Sequence, residues 1–595
     1  MNRFVPVNPA EQLDPISIEV IQNGLRSISD ECYIALMKSA YSTNIKERHD
    51  HSTCIMDASG RIVVQAAQTQ SIHLSSMLGH VEALLSRYRL TDLQEGDIFI
   101  SNDPFVAGGT HLPDVNFAMP IFFEGRIIGF SCNIAHHVDV GGMAPGSMSS
   151  NMTEIYQEGL RLPVVRLVSR GQIVPDVLEI ILLNVRVPQE RRGDYFAQIA
   201  ACRLGERRVR ELCERRSAGR VLATFKEVID RTRARMRRAI EELPDGIYRF
   251  EDVMEDDGNG THDIPIRLSL TVDGDRIRLD FSGTSPQVRG NINCPLTATQ
   301  SAVGYVLKAL LDPDVPNNHG ILDVIEIHAE PGSLLNPVFP AAVAYRAHTT
   351  QRIIDVVIGA LAPALPDRVI AASNGSNTTA VFSGIDPRSN RPYLYLETLG
   401  GGCGARSFKD GKDGVQQHIA NTANLPVEAI ESEYPLRVRE YGFASDTGGA
   451  GRFRGGLSLR RTIEPIDHDC LFNGAGERFV HAPWGVFGGG RGAPGRIRLV
   501  DANGGARDLG GKPAPMICPD RHAIEITTPG AGGYGDPQKR SAADLARDLR
   551  SGKFSMDFIA SRYGIAPAAL ERAARAAPDT DYDDPPAPWH NVDQG

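Results

Sequence analysis

The sequence predicts a multidomain α+β protein. A helical/β N-terminal region is expected to carry a metal site, and largely antiparallel β-rich domains follow it. Three observations predict this. Before residue 245, apolar side chains recur every three or four positions in a few long stretches, as in helices with one buried face. On both sides of that point, apolar runs broken by Gly-containing turns read as hairpins. Beyond Gly400, glycine clusters separate short strands, the pattern of a sandwich or barrel. The expected units are residues 1–245, 246–398, 399–537 and a short helical segment, 538–595, ending in an acidic tail.

Taken in order, Ile18, Ile21, Leu25, Ile28, Cys32 and Ala35 give one face of a helix over 15–40, with Pro15 in its first turn. Asn44 to Ser52 is a polar cluster, read either as a solvated helix end or as part of a site if folding brings it near His111 and Asp114. Cys54–Asp57 and Arg61–Gln65 make a hairpin across Ala58-Ser59-Gly60. A helix is expected from Ser71 to about Leu90, then a strand at Ile98–Ile100. The runs 115–123 and 126–134, joined at Glu124-Gly125, make a second hairpin. Residues 150 to 200 alternate short strands and helices. From Gln198 to Glu242 the pattern is helical until Pro244-Asp245-Gly246 ends it. A further hairpin spans 266–281, and helices are expected near 296–311, 349–363, 541–550 and 555–562. The tail Asp579–Pro586 has the composition of a disordered segment.

A formal charge of −10 argues against a nucleic-acid partner. The arginines from Arg231 to Arg238 are interleaved with acidic residues and read as a solvated, ion-paired helix face. Nine scattered cysteines, none spaced C-x-x-C, fit reduced thiols. With neither an apolar leader nor a run of about 18 uncharged apolar residues, a cytoplasmic protein without a membrane span is expected. No P-loop, Rossmann fingerprint or G-x-S-x-G elbow occurs, so any ATP should be brought by another chain.

The chemistry concentrates in Asn102–Gly142. Gly108-Gly109-Thr110-His111-Leu112-Pro113-Asp114 precedes the second hairpin, and His136-His137-Val138-Asp139 follows it. Chain reversal in the hairpin sets these ends side by side. The residues read either as a metal centre or as a structural, hydrogen-bonded polar core; as a metal centre, imidazole with carboxylate suits Zn, Mn or Fe rather than Mg or Ca. The adjacent His136 and His137 should face opposite sides of a strand, so one ligand and one supporting or catalytic residue is the expectation.

Longer motifs then line up in one order. They are Ser42-Thr43-Asn44-Ile45-Lys46-Glu47-Arg48-His49-Asp50, Ile72-His73-Leu74, Asn102-Asp103-Pro104 with Gly108 to Asp114, and His136 to Gly142. Asp280-Phe281-Ser282-Gly283-Thr284, Asn424-Leu425-Pro426-Val427-Glu428 and Asp446 to Gly456 complete the set. On these the chain resembles the B subunit of the hydantoinase B/oxoprolinase family, which is related to subunits of acetone and acetophenone carboxylases. The resemblance implies a partner, an A-type actin-like ATPase subunit that phosphorylates a cyclic amide, in a heterotetramer or larger assembly. It implies one divalent metal held by Asp50, His111, Asp114 and His136, with His137 and Asp139 handling protons and His73, Asn102 and His51 facing substrate. Many members carry Phe where this chain has His51. The function it implies is metal-assisted hydrolytic ring opening of a hydantoin, 5-oxoproline or lactam. The alternative is a subunit of an ATP-dependent ketone carboxylase.

Overall fold

A computed structural model describes residues 13–566 together with 568, 570 and 572. The acidic stretch Asp579–Pro586 lies outside the described residues. The first helix, α1 (Pro15–Ser39), starts where expected, its N-terminal amide capped by Asp14. A one-turn helix, α2 (Thr43–Lys46), leads into the first sheet.

That sheet holds seven strands: β1 (His51–Asp57), β2 (Ile62–Gln65), β3 (Ile98–Ser101), β4 (Asp114–Phe123), β5 (Arg126–His136), β6 (Val165–Ser169) and β7 (Gln172–Ile173). Their order is β2-β1-β5-β4-β3-β6-β7. Its central strands are buried throughout because both faces are covered. Cys54 and Met56 pack with Met77 and Val81 of α3 (Leu74–Arg87). Ile55, one position out of phase, packs on the opposite face. There it meets Leu25 of α1, Val209 of α5 (Pro188–Arg216) and Phe225 of α6 (Ala218–Glu241). Between α3 and α5 the chain adds α4 (Pro175–Leu183). The helical region read from Gln198 begins at Pro188 and is broken at Ser217, whose φ is 69°.

The second hairpin forms with Asp114 opposite His136. The polar cluster Asn44–Ser52 is no solvated helix end, since Asn44, Arg48, Asp50, His51 and Ser52 are all buried.

A four-stranded sheet follows, β8 (Gly246–Asp256), β9 (His262–Asp273), β10 (Arg276–Asp280) and β11 (Ile325–His328), in the order β11-β10-β9-β8. Only β10 and β11 pair in parallel there. Helices α7 (Leu296–Leu311) and α8 (Arg346–Leu361) share its core. The glycine-rich region is a sandwich of two sheets. One is β12 (Thr378–Asp386), β13 (Arg391–Leu399), β16 (Cys470–Ala475) and β19 (Met516–Cys518). The other is β14 (Leu436–Ala444), β15 (Ser458–Pro465), β17 (Arg496–Val500), β18 (Ala506–Asp508) and β20 (Ala523–Thr527). Phe382 and Phe472 of one sheet share a core with Ile463 and Ile524 of the other. The boundary expected at 398/399 therefore falls inside β13, the second strand of a hairpin that pairs into this sandwich. No helix among the described residues is long and apolar enough to cross a membrane.

Candidate metal centre

The ends of β4 and β5, the N-terminus of α8 and the near edge of the sandwich meet around one polar cavity. About 600 Å³ of space there, open solvent at its mouth included, is not filled by atoms. The His111 loop is held to α3 by backbone contact. Gly108, at φ +69°, lies so close to Gly79 that a Cβ added there would sit 2.3 Å from the Gly79 Cα.

His111, Asp114 and His136 are buried, and their ligating atoms lie within 4.8 Å of one another. The ring Nδ1 of His111 donates to the Ala344 carbonyl at 3.1 Å. A neutral ring then presents a bare Nε2, which stands 3.3 Å from Asp114 Oδ1. Burial, with the nearby Arg346 guanidinium, lowers the pKa of His111 and opposes a second proton. Burial raises the Asp114 pKa, but the Arg346 guanidinium bonded to its Oδ2 opposes this, and the carboxyl is held well below its usual range. Arg346 and Thr110 Oγ1 bond Asp114 Oδ2, leaving Oδ1 free. Neither Nε2 of His111 nor Oδ1 of Asp114 has a hydrogen-bond partner. Two buried acceptors facing each other with no hydrogen between them fit a bound cation, and the donor set is one a transition metal favours.

His136 is pushed down to about 3 by burial, so its ring is neutral as well. Asn44 Nδ2 lies 2.7 Å from the His136 carbonyl and 3.2 Å from its Nδ1. Arg48 fixes that amide's orientation by donating to Asn44 Oδ1. Asp50, 8% exposed, lines the same cavity and accepts from Gln70 Nε2 at 2.8 Å. His73 bridges the two carboxylates. Its Nε2 is 3.7 Å from Asp114 Oδ1 and 3.9 Å from Asp50 Oδ1. Ser52 Oγ accepts from Gln70 N and lies 2.7 Å from His73 Nδ1. With both carboxylates on the Nε2 side, the imidazole proton belongs there, which leaves Nδ1 to accept from the Ser52 hydroxyl.

Four other expected residues stand outside this cavity. His137 faces the opposite side of the strand end, stacked on Tyr195 at 4.5 Å with Nε2 2.9 Å from Gln198 Oε1. Asp139 organises its own loop, accepting from Gly141 N, Gly146 N and Arg186. Asn102 clamps two chain segments, donating to the carbonyls of Leu112 and Leu160 and accepting from Leu162 N. His51 is stacked on Tyr33 at 4.0 Å with no exposure. Pleating explains two of these: His51 follows Asp50 and His137 follows His136, and each successor takes the other face. Sequence reasoning missed Arg346, Gln70 and the α8 residues His348 and Gln351. Arg346 lies 232 positions from Asp114, and its only local signal is the Arg-Ala-His run that opens an apolar helix.

The chain matches the Hydantoinase B/oxoprolinase family model over residues 14–537. It is 30% identical to the caprolactamase subunit beta of Pseudomonas jessenii, over 93% of this chain and 96% of that one. The crystal structure of the ATP-dependent caprolactamase from Pseudomonas jessenii superposes with a TM-score of 0.89 at 28% identity, covering 95% of this chain and 100% of that chain. A nucleotide-free acetone carboxylase superposes with a TM-score of 0.87 over 95% of this chain and 82% of that one. At 20% identity that likeness shows the fold alone. The chain belongs to the hydantoinase B/oxoprolinase family.

Proposed function

Within that family, we propose that this chain is the hydrolytic B subunit of an ATP-dependent cyclic amide hydrolase of the hydantoinase, oxoprolinase or lactamase type. An A-type actin-like ATPase subunit phosphorylates the amide oxygen, and this chain completes ring opening. The observation that carries the reading is the unpaired contact of Asp114 Oδ1 with His111 Nε2 at 3.3 Å, buried in a polar cavity. An amide resists hydrolysis because its resonance must be broken; with its oxygen phosphorylated, water adds to the carbon, the ring nitrogen departs with a proton, and the acyl phosphate left behind is hydrolysed to a carboxylate and phosphate.

Asp50, His111, Asp114 and His136 would hold a divalent transition metal, which supplies a Lewis acid for the substrate oxygen and for water. The remaining work falls to side chains. Arg346 and Thr110 keep Asp114 ionised and turned so that only Oδ1 faces the centre. The Ala344 carbonyl fixes the His111 tautomer. His73, with its proton on Nε2 and both carboxylates within 4 Å, is placed to donate to the departing nitrogen. It takes the role that His137 and Asp139 were expected to fill, because neither reaches the cavity.

The test is His111→Ala in the complex with the partner subunit. Metal content is expected to fall from about one ion per chain to near zero, and ATP-dependent ring opening with it. A variant that keeps both its metal and its turnover would sink the assignment.

A further inference from the structure

The turn that carries His73 stands between two cavities. Ile72 and His73 line the one that holds the ligand cluster, while Ser71 and Leu74 line another, walled on its other side by α7. About 640 Å³ of space in this second cavity, open solvent at its mouth included, is not filled by atoms. Leu74, Gly304, Ala309, Pro313 and Ile321 give it a largely apolar surface.

Among the described residues that line it, Lys308 alone is charged. The side chain is half-buried, so its ammonium is neither sealed in the core nor free in solvent. Its Nζ donates to Asn317 Oδ1 at 2.6 Å, one bond for a group that carries three donors. The acid one turn further along the chain, Asp312, is committed to Arg235 through two bonds at 2.8 and 2.9 Å. Burial lowers the Lys308 pKa, Arg26 and Arg235 add to this, and the attraction of Asp312 and Asp314 does not make up the difference. An ammonium short of a counter-ion, set over apolar walls, is complementary to an anion with an apolar body. A phosphate is recognised by several donors converging on its oxygens. Here one point charge is offered, which suits a carboxylate.

We infer that this cavity binds a small apolar monocarboxylate, with its carboxylate on Lys308 Nζ and its hydrocarbon body against Leu74, Pro313 and Ile321. The occupant acts on the metal centre through the fold and not by contact. Leu74 follows His73 directly. Ser301 Oγ of α7 accepts from Ser75 N at 3.1 Å, and Thr297 Oγ1 of the same helix donates to the Gly109 carbonyl at 3.1 Å in the His111 loop. One helix thus braces both the His73 turn and the His111 loop, and the cavity against it is an effector site. Binding there does not depend on which reaction the centre performs.

The test is calorimetry on the purified full-length chain with benzoate as the probe, where a Kd of about 1 mM or tighter is expected. Benzamide has the same shape without the charge and should bind at least about 10-fold more weakly. Benzoate should lose at least about 10-fold on Lys308→Met, which keeps an unbranched apolar stem and should leave metal content and basal turnover at the parent level. Benzoate held at the metal centre instead would bind this variant as tightly as the parent, and that result overturns the site. Equal affinity for benzoate and benzamide, or no binding up to about 10 mM, also overturns it. Displacement of benzoate by equimolar inorganic phosphate would overturn the assignment to a carboxylate. In the complex with partner and ATP, saturating benzoate should shift kcat in the parent and not in Lys308→Met. Binding without any such shift would overturn the effector role.

Discussion

His51→Phe should make the protein more resistant to acid than its parent. His51 has no exposure, stacks on Tyr33, and is pushed down to about 3 by burial, against an ordinary value of 6.5. Below pH 6.5 the unfolded chain takes up a proton at this position and the folded chain does not, so stability falls as the pH falls. At about pH 5.5, one unit below the unfolded value, the loss is RT ln(1 + 10), or about 1.4 kcal/mol, while near pH 8 it is about zero. Phenylalanine removes this loss and keeps the ring stack. It also removes the contact of Nε2 with the Tyr33 carbonyl at 3.2 Å, an offset that does not change over this pH range. Urea unfolding of parent and variant near pH 8 and near pH 5.5 isolates the proton term. The difference between the two proteins should move toward the variant by about 1.4 kcal/mol on acidification. An unchanged difference would mean that His51 accepts a proton in the folded state, and the reasoning that seats it in the core as a neutral ring would be refuted.

Two other substitutions separate roles within the cavity. His73→Asn should leave the metal content of the purified chain unchanged while lowering kcat by about 100-fold or more, read by elemental analysis beside turnover. Loss of the metal with the activity would make His73 a ligand instead. Glu158 accepts Val343 N and Ala344 N on one oxygen and is pushed up to about 8 by burial, so Glu158→Gln should preserve the fold near pH 7. Its advantage over the parent should grow from about pH 5 to about pH 8, because there the unfolded glutamate ionises while the folded one stays protonated. Glu158→Ala should instead leave two buried N–H groups unpaired and cost about 2 kcal/mol or more in thermal unfolding. A stable alanine variant would show that the Val343-Ala344 segment, whose Ala344 carbonyl holds His111, does not depend on Glu158.

The elements that could be read from the chain were those whose burial leaves a period. α1 spans Pro15–Ser39 because Ile18, Ile21, Leu25 and Ile28 form its buried face, and that face is local information. The hairpin β4–β5 was legible because Glu124-Gly125 leaves only one way for two apolar runs to fold back, and it sets Asp114 beside His136. The start of α5 was harder. Its first ten residues, from Pro188, include Arg191 and Asp194, both buried yet charged, which hide the apolar period. The sandwich recruits Thr378–Leu399 through pairing with Cys470–Ala475, a contact about 90 residues away that no composition shift marks.

The candidate site divides along the same line. Residue identity and hairpin geometry find His111, Asp114 and His136, because ligand chemistry and chain reversal are both visible locally. Which member of an adjacent pair faces inward depends on strand phase, and phase is set by what covers each face. With α5 covering one side of the strand end, His137 goes to Tyr195 and Gln198 and His136 to the cavity. Asp50 and His51 divide in the same way, the histidine turning to Tyr33 of α1. The family motif picks out Asp50 and His136 as ligands but carries no strand phase, so it still sets His51 and His137 in the pocket. The wall that tunes the centre is less legible still. Arg346, His348 and Gln351 come from α8, whose residues are buried all round, so no apolar stripe separates its site-facing side from its core-facing side. Polar residues in such a helix are costly unless something pairs them. Arg346 finds Asp114, and Gln351 keeps one acceptor unpaired. The contact of Arg346 with Asp114 and the place of His348 and Gln351 on the cavity wall are properties of the fold, and they identify these residues where their spacing does not.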